Sequence, residues 1–308
     1  MLRPLFLAAF LLLGCSVNRA AKIHGWAVGN TVLHTIDGGN TWGEQQLPLK
    51  SELVAVACVD TDHAWAGGTN GVLVATVDGG NHWTAQTSGV TGNITRFAFL
   101  DAATGWATDT DGDILHTRDG GTTWNKQLSG VRVSLGDISF PSRSDGWAAG
   151  IGGVIIHTSD GGATWVAQKS GVEGDLIVIH FVDARNGSAM SQDGLVLHTD
   201  DGGARWTVQA DLQKNIGEAF FLNDKIAWAV GRNLLAQRKD GTHWAILDEG
   251  EQFNESISFV DAQNGWLLRP SGEILITGDG GQNWKQRKIT QSYQTHISAI
   301  VFTNSATK

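Results

Sequence analysis

The stretch Thr117-Arg-Asp-Gly-Gly-Thr-Thr-Trp124 decides the fold, because its Asp-Gly-Gly-x-x-Trp core recurs, seven copies in all, along the 308 residues. Successive copies place their tryptophans 41 residues apart in four intervals, and then 38 and 40 residues apart. A fixed period of this length indicates a repeat architecture in which every copy marks one structural unit. The sixth copy lacks the second glycine. The copies begin at Asp37, Asp78, Asp119, Asp160, Asp201, Asp240 and Asp279 and end at Trp42, Trp83, Trp124, Trp165, Trp206, Trp244 and Trp284.

The phrase itself has the chemistry of a tight hairpin turn. Consecutive glycines allow the positive φ angles that such a turn requires. The aspartate carboxylate can accept hydrogen bonds from nearby turn amides, and the tryptophan can cover the hairpin with apolar surface. We therefore predict a structural role for the seven copies.

One repeat contains four short segments that are typical of β-strands separated by turns. In the third repeat these segments are 94–100, 105–109, 113–117 and 123–128. Four strands per unit of this length are typical of a propeller blade. The sequence thus predicts an all-β, seven-bladed β-propeller with four-stranded blades, forming a single domain over residues 15–308.

The two ends of the repeat region complement each other. The first repeat begins at Gly25-Trp26 without a first strand, whereas residues 296–303 form an apolar strand with no repeat after it. We predict that this C-terminal strand is the innermost strand of the N-terminal blade. Such closure would remove the free sheet edges.

A second set of aromatic residues follows the same period. Tryptophan, usually preceded by glycine, opens the second strand of six repeats, and Ser188 replaces it in the remaining repeat. Seven residues earlier the chain usually has phenylalanine, but Cys58 takes that place in one repeat. The position predicts a packed core thiol for Cys58 rather than a reactive one. The six tryptophans are Trp26, Trp65, Trp106, Trp147, Trp228 and Trp266.

Residues 1–14 are predicted to be a signal peptide, because Arg3 precedes an apolar run that is too short to span a bilayer. The run ends in Leu12-Leu13-Gly14-Cys15, which resembles the lipobox of bacterial lipoproteins. The resemblance implies cleavage before Cys15 and lipidation of that residue; an ordinary secretory signal is the alternative. We expect an extracytoplasmic, membrane-anchored chain, at the periplasmic face of the outer membrane. The net charge of −9, without a basic stripe, argues against a nucleic-acid partner.

The form Thr-x-Asp-Gly-Gly-x-Thr-Trp resembles the Asp-box, or BNR, repeat. Together with Gly146-Trp-Ala-Ala-Gly150, it makes the chain similar to the photosystem II stability and assembly factor family. The resemblance implies a non-enzymatic scaffold that binds membrane-protein subunits, or other envelope proteins. We also expect a monomer without a cofactor. In a photosynthetic host it also implies the thylakoid lumen. The departures at Ser188 and Asp240 leave open a relative that works outside photosynthesis.

A glycan-binding module or a sialidase-like glycosidase is the alternative function, because Asp-box propellers also occur in sialidases. Such an enzyme needs a tyrosine nucleophile, and the chain has a single tyrosine, Tyr293, in the connection before the closing strand. Asp-boxes lie at the blade periphery in that family and are not catalytic. We therefore predict no catalytic residue.

Two patterns suggest a metal at first sight. His34, His116, His157 and His198 share one register, but equivalent positions in different blades diverge, so we predict packing roles for them. The stretch 109–113, Asp-Thr-Asp-Gly-Asp, looks like a calcium loop. An EF-hand would need glycine and glutamate where Ile114 and Gly120 stand. We predict no metal site.

Candidate binding residues lie on the first strands and in the fifth and sixth repeats. Arg96, Asp137 and Glu218 share one first-strand position, and His180 lies two residues further along in its own repeat. Arg96 and Asp137, in adjacent blades, could form a structural ion pair; a polar funnel that binds a ligand is the alternative. The family resemblance implies an arginine-rich partner patch, which no motif maps, and a solvated face is the alternative. The candidate arginines are Arg185, Arg205, Arg232 and Arg238.

Overall fold

The computed structural model describes residues 22–248, 254–288 and 296–305. Over these ranges, 28 strands form seven antiparallel sheets of four strands each. The predicted all-β, seven-bladed propeller is confirmed. The predicted signal peptide 1–14, Cys15 and Tyr293 lie outside the described residues. Within the described ranges, no helix has both the length and the apolar character needed to cross a membrane.

Each blade is an antiparallel meander, and we number the blades in chain order from the one that contains Trp26. Blade 1 contains β1 (Ile23–Gly29), β2 (Val32–Thr35) and β3 (Gly43–Gln45), and blade 2 contains β4 (Leu53–Cys58), β5 (Ala64–Gly68), β6 (Leu73–Thr76) and β7 (Thr84–Gln86). Blade 3 contains β8 (Ile94–Phe99), β9 (Gly105–Asp109), β10 (Ile114–Thr117) and β11 (Asn125–Gln127). Blade 4 contains β12 (Leu135–Ser139), β13 (Gly146–Gly150), β14 (Val154–Thr158) and β15 (Val166–Lys169). Short 3₁₀ turns occupy Thr69–Gly71 and Ile151–Gly153.

The remaining strands build blades 5 to 7 and complete blade 1. They are β16 (Leu176–Phe181), β17 (Gly187–Ser191), β18 (Leu195–Thr199), β19 (Thr207–Asp211), β20 (Ile216–Phe221), β21 (Ala227–Gly231), β22 (Leu234–Arg238), β23 (Trp244–Asp248), β24 (Ser256–Phe259), β25 (Gly265–Leu268), β26 (Glu273–Thr277), β27 (Lys285–Lys288) and β28 (Ile297–Asn304).

The ring is closed by β28, which pairs antiparallel with β1 and gives blade 1 the strand order β28-β1-β2-β3. Gly25 lies opposite Phe302, and the Lys22 N–H donates a hydrogen bond to the Ser305 hydroxyl at 3.0 Å. The predicted closure is therefore confirmed, and the strand starts one residue later than expected.

The first strands of the blades form the inner ring. Each of them contacts the first strand of the next blade, from β4 through β24, and β28 contacts both β24 and β4. Every residue of the second strands β5, β9, β13, β17, β21 and β25 is buried. Side chains on the first strands can therefore face the channel, while the second strands carry the core between blades.

A repeated aromatic group joins neighbouring blades. Trp106 of blade 3 stacks on Phe140 of blade 4 with ring centroids 3.6 Å apart, and Trp165 meets the same phenylalanine edge-on at 5.9 Å. Aromatic pairs of this kind contribute about 0.5–1.5 kcal/mol beyond the burial of their area. The period of the two tryptophan sets thus reflects one interface that is copied around the ring.

Cys58 takes the phenylalanine place in blade 2, as its register predicts. It packs against the core cluster that contains Trp26 and Leu53. Burial raises the pKa of the thiol to about 12, with a smaller contribution from Asp60. A thiol with so little thiolate is a packing residue rather than a nucleophile.

Candidate functional site

The Asp-box turns use their carboxylates to hold the backbone. Asp119 Oδ1 accepts hydrogen bonds from the Thr123 N–H at 2.8 Å and the Thr117 hydroxyl at 2.9 Å, and Oδ2 accepts the Thr123 hydroxyl at 2.7 Å. The Thr117 oxygen accepts the Gly121 N–H at 2.7 Å, and Gly120 and Gly121 have φ angles of 69° and 92°. Only glycine adopts such angles without strain. Both oxygens of the Asp119 carboxylate are therefore engaged in holding the turn.

The same hydrogen bonds favour the charged form of the box carboxylates. The hydroxyl and N–H of Thr164 lower the pKa of Asp160 to about 2, and Asn283 lowers that of Asp279 to about 2 in the same way. These pKa values follow from hydrogen bonding to the ionised form.

The sixth box differs at two positions that belong together. Arg238 stands where the other boxes have threonine, and the second glycine is missing. In the regular boxes the threonine hydroxyl accepts a hydrogen bond from the N–H of the second glycine, as Thr117 does from Gly121. Without that glycine, the sixth box has no such N–H for a threonine to accept. Asp240 still accepts the N–H groups of Thr242 and His243, at 2.9 and 2.8 Å.

A series of five glutamines links the boxes of blades 2 to 6 to the preceding blade. Gln86 of blade 2 accepts the Trp124 indole N–H at 3.0 Å and donates to the Gly120 carbonyl at 3.1 Å, both in blade 3. These glutamines lie outside the Asp-Gly-Gly-x-x-Trp phrase, yet each stands three residues after the tryptophan of its own box. That spacing is the sequence signal for them. The series comprises Gln45, Gln86, Gln127, Gln168 and Gln209.

Three of the four histidines in one register stack on the second-strand tryptophan beside them. The ring centroids are 4.7 Å apart for His34 on Trp26 and 4.6 Å apart for His116 on Trp106. His157 stacks on Trp147 in the same way, whereas His198 lies beside Ser188 and has no indole next to it. Among the described residues, no group of three or more histidine, cysteine or acidic side chains converges as a metal site.

The calcium-like stretch at 109–113 is a hairpin turn between β9 and β10. Asp109 Oδ1 accepts the N–H groups of Asp111 and Asp113, at 2.9 and 2.7 Å. The carboxylate therefore caps its own turn, and burial raises its pKa.

The channel contains a cluster of three charged side chains. Arg96 Nη1 donates to Glu218 Oε1 at 2.6 Å, and Arg96 Nε lies 3.5 Å from Asp137 Oδ1. The side chains are 30%, 13% and 14% exposed for Arg96, Glu218 and Asp137. The structure thus brings together all three residues of the shared first-strand position. The shorter contact joins blade 3 to blade 6, across the channel.

The two carboxylates also bind the backbone of the next blades. Asp137 Oδ2 accepts the Ile179 N–H at 2.9 Å, and Glu218 Oε2 accepts the Ile257 N–H at 2.9 Å. Blades 3 to 7 are therefore linked through one cluster. This arrangement matches a structural ion pair.

The cluster carries more negative than positive charge. Burial raises the pKa of Asp137 to about 6, against the opposing effect of Arg96. Burial works to lower the pKa of Arg96, but Glu218 and Asp137 outweigh it and hold the pKa above its usual value. Burial thus outweighs the attraction of Arg96, which Asp137 shares with Glu218, so Asp137 gains a proton more readily than an exposed aspartate does.

The interface between blades 5 and 6 departs from the regular aromatic group. Ser188 replaces the tryptophan that would cover Phe221, and His180 stacks on Phe221 instead with centroids 4.8 Å apart. Burial, and then Arg238, lower the pKa of His180 to about 4, so the ring is neutral. A crevice of about 30 Å³ remains. It is lined by His180, Val182, Asn186, Gly187, Ser188, His198, Phe221, Asn223, Asp224 and Arg238.

Arg238 enters this crevice from the third strand of blade 6. Its guanidinium carbon lies 5.3 Å from the centroid of Phe221 and 5.6 Å from that of Trp244. The side chain is 2% exposed, and Nη2 donates to the Asp224 carbonyl at 3.3 Å. Burial lowers the pKa of Arg238, although Asp224 and Asp240 oppose the shift.

The other candidate arginines do not join Arg238 in one patch. Arg185 and Arg205 are exposed at the end of the propeller that carries the Asp-box turns, which we call the box face. Arg205 pairs with the carboxylate of Asp201 at 3.3 Å. Arg232 is exposed in the turn between β21 and β22, at the opposite end of the blade.

Comparisons with known proteins agree with this geometry. The family model described as "Photosynthesis system II assembly factor YCF48" matches residues 12–85, 41–130 and 127–219. No curated protein matches the chain. Among solved structures, "YCF48 bound to D1 peptide" has 22% identity and a TM-score of 0.66, covering 80% of this chain and 84% of its own.

Two further structures share the architecture. YCF48 from Cyanidioschyzon merolae has 20% identity and a TM-score of 0.65, with 80% of this chain and 88% of the other covered. The computationally designed Ika8 protein has 14% identity and a TM-score of 0.59, with 84% and 81% covered. At these identities the structural likeness shows the fold. The family model, however, spans residues 12–219, more than half of the chain, and the chain therefore belongs to the family of the photosynthesis system II assembly factor YCF48.

Proposed function

We propose that this chain is a non-enzymatic scaffold that binds membrane-protein subunits during the assembly or maintenance of their complexes. Membership of the YCF48 family over residues 12–219 is the observation that carries the proposal. One solved YCF48 has a D1 peptide bound, and we extend binding of this kind, a peptide of a partner protein, to the present chain.

The chemistry of the described residues supports binding rather than turnover. The box carboxylates are held by their own turns, and the channel carboxylates of Asp137 and Glu218 are held by Arg96 and by backbone N–H groups. Side chains that are fixed in this way serve the rigidity of the ring. A sialidase-like reaction would have to use Tyr293, which lies outside the described residues.

We place the partner on the box face of blades 5 and 6. Arg185, Lys225 and Lys239 are exposed there, beside the irregular sixth box. Exposed basic side chains around a rigid surface steer acidic partners and determine specificity. The loops of a rigid scaffold are also where binding residues concentrate.

We further propose that the propeller is held at a membrane by lipid on Cys15, on its extracytoplasmic side. Cys15 precedes the start of β1 at Ile23 by eight residues. Eight extended residues reach at most about 28 Å, so a lipid at Cys15 would keep the scaffold close to membrane-embedded partners. The periplasmic face of the outer membrane, or the thylakoid lumen of a photosynthetic host, is the compartment that we propose.

Affinity purification from detergent-solubilised membranes tests the scaffold function. The tagged full-length chain should recover the same membrane subunits repeatedly, and a Lys225→Glu variant should recover less. Arg232→Glu is the matched control, because it makes the same charge change in blade 6 at the opposite end, and its recovery should equal that of the wild type. Equal losses in both variants would contradict the placement on the box face.

Two further measurements separate the alternatives. Turnover of a fluorogenic glycoside that disappears in Tyr293→Phe would replace the scaffold with a glycosidase. Fractionation tests the anchor independently: Cys15→Ser should move the chain from the membrane to the soluble fraction. An unchanged membrane fraction would refute the lipid anchor.

A further inference from the structure

The crevice between blades 5 and 6 contains a buried cation that the protein compensates only in part. Arg238 is 2% exposed, and its Nε has no hydrogen-bond partner. Its hydrogen bond to the Asp224 carbonyl is long, at 3.3 Å, for a charge-assisted contact. No described carboxylate lies within ion-pair distance of the guanidinium. A buried charge in this state is costly unless something else pairs with it.

The aromatic contacts of Arg238 account for one face of its guanidinium only. Phe221 and Trp244 provide cation–π contacts, at 5.3 and 5.6 Å. Such contacts act on the flat face of the group and leave its N–H edge available. The crevice exists because Ser188 stands where other blades have an indole, and it borders that guanidinium.

We propose that this crevice binds a carboxylate group, with Arg238 as its principal partner. The planar fork of a guanidinium matches the two oxygens of a carboxylate. The small volume of the crevice, about 30 Å³, favours a compact polar group over a larger ligand. His198 Nδ1, which also has no partner, lines the same crevice and can serve as a second polar contact. Asp224 lines the crevice as well, and it and Asp240 act on the charge of Arg238, but both residues are exposed, so water and salt screen part of their charge.

Two sources could supply the carboxylate: a free small organic acid, or an aspartate or glutamate side chain of a protein partner. The first source goes beyond the scaffold function, while the second rests on it. Both sources present a carboxylate to Arg238. Acetate therefore tests the site itself, and a glutamate-containing peptide separates the two sources.

The Nε–H resonance of Arg238 in nitrogen-15 NMR spectra reports on the site directly. It is assigned by its absence in Arg238→Lys. Acetate, added to the full-length protein with chloride withdrawn to keep the ionic strength constant, should shift it saturably, with a dissociation constant on the order of 1 mM. No saturable shift would mean that the crevice holds water only, which would overturn the proposal. If chloride or nitrate shifts the resonance as much as acetate does, the site does not select carboxylates, and this result would also overturn the proposal.

Variants and a second probe complete the test. Ser188→Trp should abolish the acetate response by restoring the indole of the regular blades, and Arg238→Gln should abolish acetate-dependent thermal stabilisation. Arg118→Gln is the matched control, since it removes an exposed arginine beside the box of blade 3, away from the proposed partner surface, and it should respond to acetate like the wild type. A glutamate-containing peptide that binds more tightly than its glutamine counterpart assigns the site to a partner. Acetate binding without peptide binding assigns the crevice to a free acid. This assignment does not depend on the outcome of the affinity purification that tests the scaffold function.

Discussion

Phe302→Ala is expected to weaken the ring at its point of closure. Phe302 lies on β28, is 5% exposed and stacks on Trp266 with ring centroids 3.9 Å apart, while Trp42 meets it edge-on at 5.8 Å. Truncating a buried phenylalanine costs about 3–5 kcal/mol. Unfolding entropy of about 2.1 cal/mol/K per residue gives a chain of this size roughly 0.6 kcal/mol/K. The melting temperature should therefore fall by about 5–8 °C.

Calorimetry on the wild type and on three variants checks this value. Phe140→Ala is the matched variant, because Phe140 occupies the same aromatic group between blades 3 and 4. The two melting temperatures should fall equally if β28 completes blade 1 as an ordinary first strand. Val208→Ala changes an exposed valine and should leave the melt unchanged. A shift for Phe302→Ala that is close to that of Val208→Ala would refute the reasoning on closure.

Three more outcomes follow from the pKa values. The stability contributed by Asp160, whose pKa is lowered to about 2 by Thr164, is complete above pH 4 and lost as the pH falls towards 2; denaturant midpoints measured over that range should decline less in Asp160→Asn. Arg96→Met should cost about 2 kcal/mol at pH 7.5, below the usual value for a buried pair because the arginine is partly exposed. That loss should shrink by pH 5, since burial raises the pKa of Asp137 to about 6 and protonation removes its charge; chemical denaturation at both pH values measures the difference. In a Cys15→Ser variant, Cys58 should react with a disulfide reagent at pH 8 only after unfolding, because burial raises its pKa to about 12.

The periodic features of the molecule were predictable from the sequence, since each depends on contacts that are repeated in every blade. The box turns, the aromatic groups and the closing strand are of this kind. β28 could be located because Phe302 continues the phenylalanine series, and only the limit of the strand differed by one residue. A contact that recurs in every blade can be recognised from the spacing of its residues in the sequence alone.

Contacts that occur once could not be predicted in the same way. The register placed Arg96 and Glu218 at one level of the channel, but their 2.6 Å contact joins blades 3 and 6 and depends on the width of the ring. Arg238 occupies the space beside Ser188 although they lie in different blades and 50 positions apart in the chain. The sequence shows the departures at Ser188 and at Arg238, but only the packing of blade 5 against blade 6 shows that both residues line one crevice.

The pairing of β28 with β1 sets the order in which the fold can be completed during synthesis. Lys22 and Ser305 are hydrogen-bonded although 283 residues separate them. At translation rates of about 5–20 residues per second, the C-terminal partner emerges roughly 15–60 s after the N-terminal one. For that time β1 presents an unpaired edge, which is a template for aggregation. A chaperone that shields the edge of β1 until β28 is synthesised would therefore reduce aggregation more than one that assists the folding of the middle blades.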